Sequence, residues 1–281
     1  MSDALEPWLA RWGLEVVGRP PPPGGREPYP GAGEVAFVRR GGEALVLKLL
    51  PTGSDEYGSA AVLRHWDGVG AVRVVDAAPG ALLLERLTPG ADLCDLVRAG
   101  RDDAATLILC EVMAKLDRPP PSDLRLRSVA DWGRGFARNR AAALAVGMPA
   151  ALIDHGEALF FELCATQAAP VVLHGDLQHY NVIRDAGRGW LAIDPKGILG
   201  EPAYETGAML RNPTDDPNLF ADPAIIARRV TLICGRLGYP RERVLGWCFA
   251  QWILSILWAI EDHLDYAPDW LRGPLAAKSL L

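Results

Sequence analysis

Residues 171–194 constrain this chain more than any other stretch. Val171-Val172-Leu173 is an apolar strand pattern broken by His174-Gly175-Asp176, with Asn181 five residues after the Asp and a new apolar pair at Val182-Ile183. A second strand pattern, Trp190-Leu191-Ala192-Ile193, ends in Asp194, thirteen residues after the Asn. Two carboxylates and a carboxamide therefore sit at strand ends or on a tight loop. That set suits transfer of a phosphoryl group: one Asp orients or deprotonates an acceptor hydroxyl, while Asn and the other Asp hold the magnesium that bridges nucleotide phosphates. An isolated His-x-Asp is a common loop in which the Asp merely caps. Asp-x4-Asn followed by a strand and a further Asp is much rarer by chance.

The spacing resembles the catalytic loop and metal-binding Asp of protein kinases, with Gly175 in place of the usual Arg and Pro195-Lys196-Gly197 in place of Phe-Gly. Leu173-His174-Gly175-Asp176-Leu177 with Asn181 resembles the aminoglycoside phosphotransferase family. Three further runs resemble its streptomycin 6-kinase and hydroxyurea-resistance kinase branch: Ala192-Ile193-Asp194-Pro195-Lys196-Gly197, Gly200-Glu201-Pro202-Ala203-Tyr204-Glu205 and Leu210-Arg211-Asn212-Pro213. The N-terminal half agrees in outline through Leu47-Lys48, the run Arg64 to Val72, and Ala81 to Leu87. The likeness implies an α+β, bilobal, protein-kinase-like fold. A small antiparallel β lobe (1–88) would bind nucleotide, and a larger, mainly helical lobe (89–281) would hold the catalytic and acceptor sites. It also implies ATP- and Mg2+-dependent phosphorylation of a small-molecule hydroxyl, with a streptomycin-like aminoglycoside as first candidate. Two alternatives stay open: a housekeeping small-molecule kinase of choline, homoserine or hydroxyurea type, and a nucleotide-binding pseudokinase.

Composition narrows the setting. At 281 residues, 49% hydrophobic and 23% charged, the chain has the make-up of a globular protein able to bury a substantial core. The apolar run from Trp252 to Ile260 is far short of a membrane span. Met1-Ser2-Asp3 opens an acidic, Trp-containing segment without a secretory pattern. Five scattered cysteines without Cys-x-x-Cys read as reduced core thiols, so a cytoplasmic location is expected. The net charge of −6 argues against a nucleic-acid surface and is compatible with a cationic substrate.

Residues 4–14 carry Leu5, Trp8, Leu9 and Trp12 at helical spacing. Pro20-Pro21-Pro22-Pro23-Gly24-Gly25 reads as a stiff connector. Strands are expected at 35–39 and 44–50 around a Gly-Gly turn, a helix at 55–66, and strands at 72–77 and 81–87 around Pro79-Gly80. Thr88-Pro89-Gly90 makes a natural hinge. Helices then follow at about 92–98, 102–117, 129–146, 149–167, 201–211, 223–237 and 241–265. The glycines near 31–33 form no clean Gly-x-Gly-x-x-Gly, so the nucleotide-covering loop is weakly marked.

Particular residues follow from these patterns. Asp176 is the group expected to orient or accept the acceptor proton, with His174 bracing the loop or, alternatively, acting as base. Asn181 and Asp194 are the magnesium ligands, oxygen donors for a hard cation; the plainer reading of Asp194 is a turn residue before Pro195. Lys48 lies among branched apolar residues and needs a partner for its ammonium, which phosphate oxygens supply; a snorkelling edge-strand Lys is the alternative. The family's bracing Glu would fall at Ser59, so the brace is assigned to Glu56, one turn earlier, which takes the role if the helix shifts; a solvated surface Glu is the alternative. Glu85 and Leu87 end the last small-lobe strand, where kinases meet the adenine through backbone groups. For a cationic acceptor the nominated carboxylates are Glu205, Glu261, Asp262 and Asp265, with Glu201 nearby. Solvated helix faces and caps are the plainer reading of each.

Overall fold

In the computed structural model, residues 3–21, 33–51, 53, 56, 58–214 and 217–281 are described. Most of the proline-rich connector, glycine 31, and positions 55 and 57 of the helix expected from 55 lie outside that set. The small lobe starts with a short helix, Glu6–Trp12 (α1), and a sheet of Glu15–Gly18 (β1), Val35–Arg40 (β2), Glu43–Leu49 (β3), Val74–Ala78 (β4) and Ala81–Glu85 (β5). Its order is β1-β2-β3-β5-β4 and every pairing is antiparallel. Arg40 pairs with Glu43 across Gly41-Gly42, and Ala78 with Ala81 across Pro79-Gly80, so both expected turns are real. The alternation along β3 decides where Lys48 points. Leu45 and Leu47 face α1, with Leu5, Leu9 and Leu83, in a separate core cluster. Val46 and Lys48 face the other way, toward a helix at Ser59–Trp66 (α2), whose Val62, Leu63 and Trp66 join the main core. A seven-residue helix such as α1 is too short to persist alone, and burial of Leu5 and Leu9 on the sheet is what fixes it.

The second half continues with Pro89–Asp92 (β6), Cys94–Arg98 (α3), Asp102–Leu116 (α4), Arg127–Ser128 (β7), Val129–Ala145 (α5) and Ala150–Ala165 (α6). Then come Val171–Leu173 (β8), Val182–Asp185 (β9), Gly189–Ala192 (β10), Ile198–Gly200 (β11) and Thr206–Leu210 (α7). A turn of helix at Pro217–Phe220 (α8), then Pro223–Leu237 (α9), Arg241–Glu261 (α10) and Arg272–Lys278 (α11) complete it. Start signals written in the sequence set several of these boundaries. Ser128 and Asp131 form a reciprocal capping box at the head of α5, and Asp222 caps α9 at Ala224. Gly238, in the left-handed region at φ 76°, ends α9.

Helix α10 is the spine, packed on α5, α6, α7, α9 and α11. By length and composition it could cross a membrane, yet 78% of its most apolar stretch is buried inside the protein. Close approach is possible because small residues face it: a Cβ on Gly207 would sit 2.4 Å from the Gln251 Oε1. The cysteines are free thiols. Two three-stranded sheets, β10-β9-β6 and β7-β11-β8, frame the segment 174–194. The end of β10 also bonds to the small lobe, with Val72 N–H donating to Ala192 O at 2.9 Å and Ala192 N–H to Gly70 O at 2.8 Å.

Candidate active site

Strand β8 is followed directly by His174, whose ring is fully buried. Its Nδ1 accepts the Asp176 backbone N–H at 3.2 Å, and its Nε2 lies 2.8 Å from Ile193 O, so the hydrogen belongs on Nε2. Burial lowers its pKa, more than the charges of Asp176 and Asp194 raise it. A neutral ring with both nitrogens engaged is a brace. Gly175 follows at φ 85°, where a Cβ would stand 3.1 Å from both the Lys196 Cβ and the Trp132 ring. That is why the Arg of the protein-kinase pattern has no place here.

Asp176 is held from two sides. Asn181 Nδ2 donates to its Oδ2 at 3.0 Å and to its backbone O at 2.9 Å, and Arg211 Nη2 donates to Oδ1 at 3.3 Å. The loop between them closes through a short 3-10 turn, His179–Asn181, capped by the Gln178 side chain. Ile193 N–H then donates to Asn181 O at 2.9 Å, which sets the next residue, Asp194, beside the loop. Asp194 has φ 59°, a strained left-handed conformation for a non-glycine residue.

Lys48 Nζ meets Glu56 Oε2 at 2.5 Å and Asp194 Oδ1 at 2.8 Å. Burial pulls the ammonium's pKa down, but the two carboxylates outweigh it and the net direction is up. Glu56 is shared, its Oε1 lying 2.8 Å from Lys196 Nζ. Burial raises its pKa, yet the two lysines hold it below the usual carboxylate range. Glu56 lies in the turn ahead of α2, Ser59 N–H donating to its carbonyl at 2.9 Å, so the brace requires no shift of the helix. Ser59 is buried at the helix start.

The residues present fit a magnesium ion. Asn181 and Asp194 are both hard oxygen donors, and Asn181 directs its NH2 at Asp176, leaving the other arm of the amide for a cation. Among the described residues no group of three or more His, Cys, Asp and Glu is assembled to hold a metal unaided. Such a pair suits a cation that keeps several waters and takes phosphate oxygens for the remainder.

Beside Asp176 opens a cleft lined by Trp132, Lys196, Arg211, Trp258 and Asp262. The two tryptophans meet edge to face, centroids 5.3 Å apart at 87°. Arg211 reaches it from a fixed base: Gln251 Oε1 accepts from its Nη1 at 3.2 Å. The carbonyls on either side of it, Leu210 and Asn212, accept from the buried Arg229 at 3.4 and 2.7 Å. Arg229 in turn is paired with Asp102 at the head of α4, Nη2 to Oδ1 2.5 Å.

Residues 29–263 match the family described as aminoglycoside/hydroxyurea antibiotic resistance kinase. The chain belongs to that family. It is 37% identical to a streptomycin 3''-kinase of Klebsiella pneumoniae over 80% of this chain and 83% of that one. It is 35% identical to a hydroxyurea phosphotransferase of Kitasatospora aureofaciens over 98% and 77%, and 31% identical to a streptomycin 6-kinase of Streptomyces glaucescens over 92% and 82%. In structure it resembles aminoglycoside phosphotransferase APH(4)-Ia, solved with AMP-PNP and hygromycin B, with a TM-score of 0.67 at 17% identity over 99% of both chains. It also resembles the choline kinase LicA from Streptococcus pneumoniae, with a TM-score of 0.65 at 13% identity over 99% of this chain and 97% of that one. The fold is thus the bilobal, protein-kinase-like one, and this member of the resistance-kinase family is an O-phosphotransferase.

Within this member, the structure gathers Lys48, Glu56, Asp176, Asn181 and Asp194 into one place. It separates the acceptor nominees. Asp262 lines the cleft. Glu205 is buried beneath the loop, accepting the backbone N–H of Gly175 at 2.9 Å and of Leu177 at 3.4 Å, so its carboxylate is engaged by the 174–177 loop and does not open onto the cleft. Burial pushes its pKa up to about 7, against the pull of those N–H groups and that of His174. Glu261 is taken by a bidentate pair with Arg138, at 2.7 and 2.8 Å, and by Asn139 at 2.8 Å. Asp265 is exposed and does not line the cleft. Glu201 is buried against Arg243, at 2.6 Å, and Trp247. The Glu85 carboxylate is also occupied, by Arg188 and by the Arg73 N–H at 2.7 Å, and Leu87 is buried, so neither side chain is placed to meet a ligand. The motif reading passed over Arg211, Lys196 and the two tryptophans. Arg211 and Lys196 lay inside the family's motifs, where a cation next to a reactive Asp is itself a hint.

Proposed function

We propose that the chain transfers the γ-phosphoryl group of ATP, with magnesium, to a hydroxyl of a streptomycin-like aminoglycoside. The observation that carries this reading is the convergence of Asp176, Asn181, Asp194 and the Lys48–Glu56 pair, with Asp176 itself lining a cleft walled by two tryptophans. Residues 1–88 serve as the nucleotide lobe and residues 89–281 as the catalytic and acceptor lobe. Lys48 neutralises nucleotide phosphate oxygens, Glu56 orients it, and the backbone at Glu85 to Leu87 receives the base. Asn181 and Asp194 would hold the magnesium ion, which would supply positive charge to the nucleotide phosphates. Asp176 accepts the hydroxyl proton as the acceptor oxygen attacks phosphorus. Arg211 and Asn181 hold that carboxylate in place while His174 and Glu205 fix the loop, so positioning carries most of the rate. A cytoplasmic setting with free nucleotide and a small cationic partner agrees with this chemistry.

The tryptophan walls and Asp262 suit a guanidinium- or ammonium-bearing sugar, through ring faces and one carboxylate. The engagement of Glu205 and Glu261 elsewhere supports a second reading, a small neutral acceptor of hydroxyurea type. The Lys48–Glu56 pair, formed although position 59 is Ser, counts against a pseudokinase. The test is turnover of ATP with magnesium across streptomycin, hydroxyurea, choline and homoserine, with the phosphorylated product identified by mass. Phosphorylated streptomycin supports the first reading, a product with hydroxyurea alone the second, and none with any acceptor contradicts both.

A further inference from the structure

Lys196 is bound into the catalytic apparatus more tightly than a surface lysine needs to be. Its backbone N–H donates to His174 O at 2.7 Å, and that of Gly197 to the same oxygen at 3.2 Å, so the lysine is registered on the catalytic loop. Its ammonium meets Glu56 at 2.8 Å, and its side chain lines the cleft where Asp176 lies. Glu56 is therefore one carboxylate between two ammonium groups, and Lys48 has Asp194 as well. A bracing carboxylate needs one lysine; a second, on the acceptor side, brings positive charge to where nucleotide and hydroxyl must meet. Protein kinases have Phe in the position after the metal-binding Asp and no cation in that turn, whereas Pro195-Lys196-Gly197 puts one there.

We propose that Lys196 is a further catalytic residue, its ammonium contacting an equatorial oxygen of the phosphoryl group in flight. The inference rests on the phosphotransfer roles given to Lys48 and Asp176, but not on the identity of the acceptor. In the step, the acceptor oxygen forms its bond to phosphorus and the bond from phosphorus to the bridging oxygen breaks. The electron pair stays on the nucleoside diphosphate and the hydroxyl proton passes to Asp176. Lys196 keeps its proton throughout and stabilises the charge spread over the transferring group. Two lysines then divide the phosphates, Lys48 holding the nucleotide in the ground state and Lys196 acting where charge is redistributed.

The competing explanation is that Lys196 is only a strut that keeps Glu56 on Lys48. A double-mutant cycle with Glu56→Gln separates the two. The full chain is assayed with MgATP and the acceptor that gives most turnover, and also without acceptor, where water takes its place. MgATP affinity is titrated separately, and thermal melts confirm folding. Lys196→Met is expected to lower kcat on the order of 10²-fold, the loss typical of one charge-stabilising donor, with MgATP affinity within about threefold. Lys196→Arg should recover at least about tenfold of that loss, and Lys196→Met should cost the same factor in the Glu56→Gln background. A loss below about threefold in both assays overturns the proposal, as does an effect that vanishes once Glu56 is Gln or that appears as weakened MgATP binding. Lys196→Gln gives the same comparison if the Met variant does not fold. If streptomycin is not turned over while ATP hydrolysis still responds to Lys196, the acceptor reading has failed and this one has not.

Discussion

Asp176 accepts hydrogen bonds from Asn181 and Arg211 at once, which fixes its orientation. In the proposed mechanism that orientation toward the acceptor hydroxyl carries most of its contribution. Asp176→Asn should therefore cut turnover by about two orders of magnitude or more while MgATP binding stays near wild type; turnover within a few-fold removes Asp176 from the mechanism. Asp194→Ala should weaken MgATP binding and turnover together, with Asn181→Ala milder because the amide is neutral. Glu205 gives a pH signature. Its pKa rises from 4.5 to about 7 on folding, so its contribution to stability is complete below about 4.5 and is lost as pH climbs to about 7. His174, with a lowered pKa, works in the opposite sense, gaining stability as pH rises toward 6.5. The difference between wild type and Glu205→Gln in denaturant unfolding isolates the Glu205 part, expected at no more than about 3.5 kcal/mol across that window. A pH-independent difference would refute the buried-acid assignment. That Asp176, Asn181 and Asp194 come together was legible because they share one motif of fixed spacing, and Lys48 was legible as a lone ammonium in an apolar strand. The engagement of Glu205 and Glu261 was not, because a carboxylate's partner comes from elements 30 and 123 residues away along the chain.

At the scale of elements, the site depends on how α4 and α9 grip the segment carrying Arg211. Asp102 and Arg229 are both buried, and the guanidinium is satisfied by one carboxylate and two carbonyls. Removing one partner strands the other: Asp102→Ala should cost about 3–5 kcal/mol in unfolding, whereas replacing both with apolar residues should cost far less. Kinetically, the double variant should still lose kcat, since Arg211 then loosens. Additive single losses would show that the two do not act as a pair. Helix α9 was readable to its ends, because Asp222, Pro223 and Gly238 are all local start and stop signals. Strands β1 and β6 were not, being four-residue pieces whose pairing with β2 and β9 is a tertiary matter. Helix α2 is described from Ser59, not Asp55, and Glu56 in the turn before it reaches Lys48.

For the whole molecule, the alternation of β3 turns Lys48 inward, β10 ends at Ala192 just before Asp194, and the Val72–Ala192 hydrogen bond ties the two lobes at that point. The sequence carried this architecture in its order of strand and helix patterns. The cleft was illegible because Trp132, Arg211 and Trp258 come from three distant parts of the chain. If the acceptor is cationic, Asp262→Asn should raise its KM by more than about tenfold and leave that for ATP unchanged, while Asp265→Asn does little. Added salt should weaken acceptor binding as well. The most direct measurement of the central claim compares wild type with Asp176→Asn, using MgATP and streptomycin and reading both phosphorylated product and MgATP affinity. The account predicts one phosphate added to a streptomycin hydroxyl by wild type, and a variant that binds MgATP equally well but forms almost none. Product formed as readily by the variant, or no phosphorylated acceptor from wild type, would contradict it.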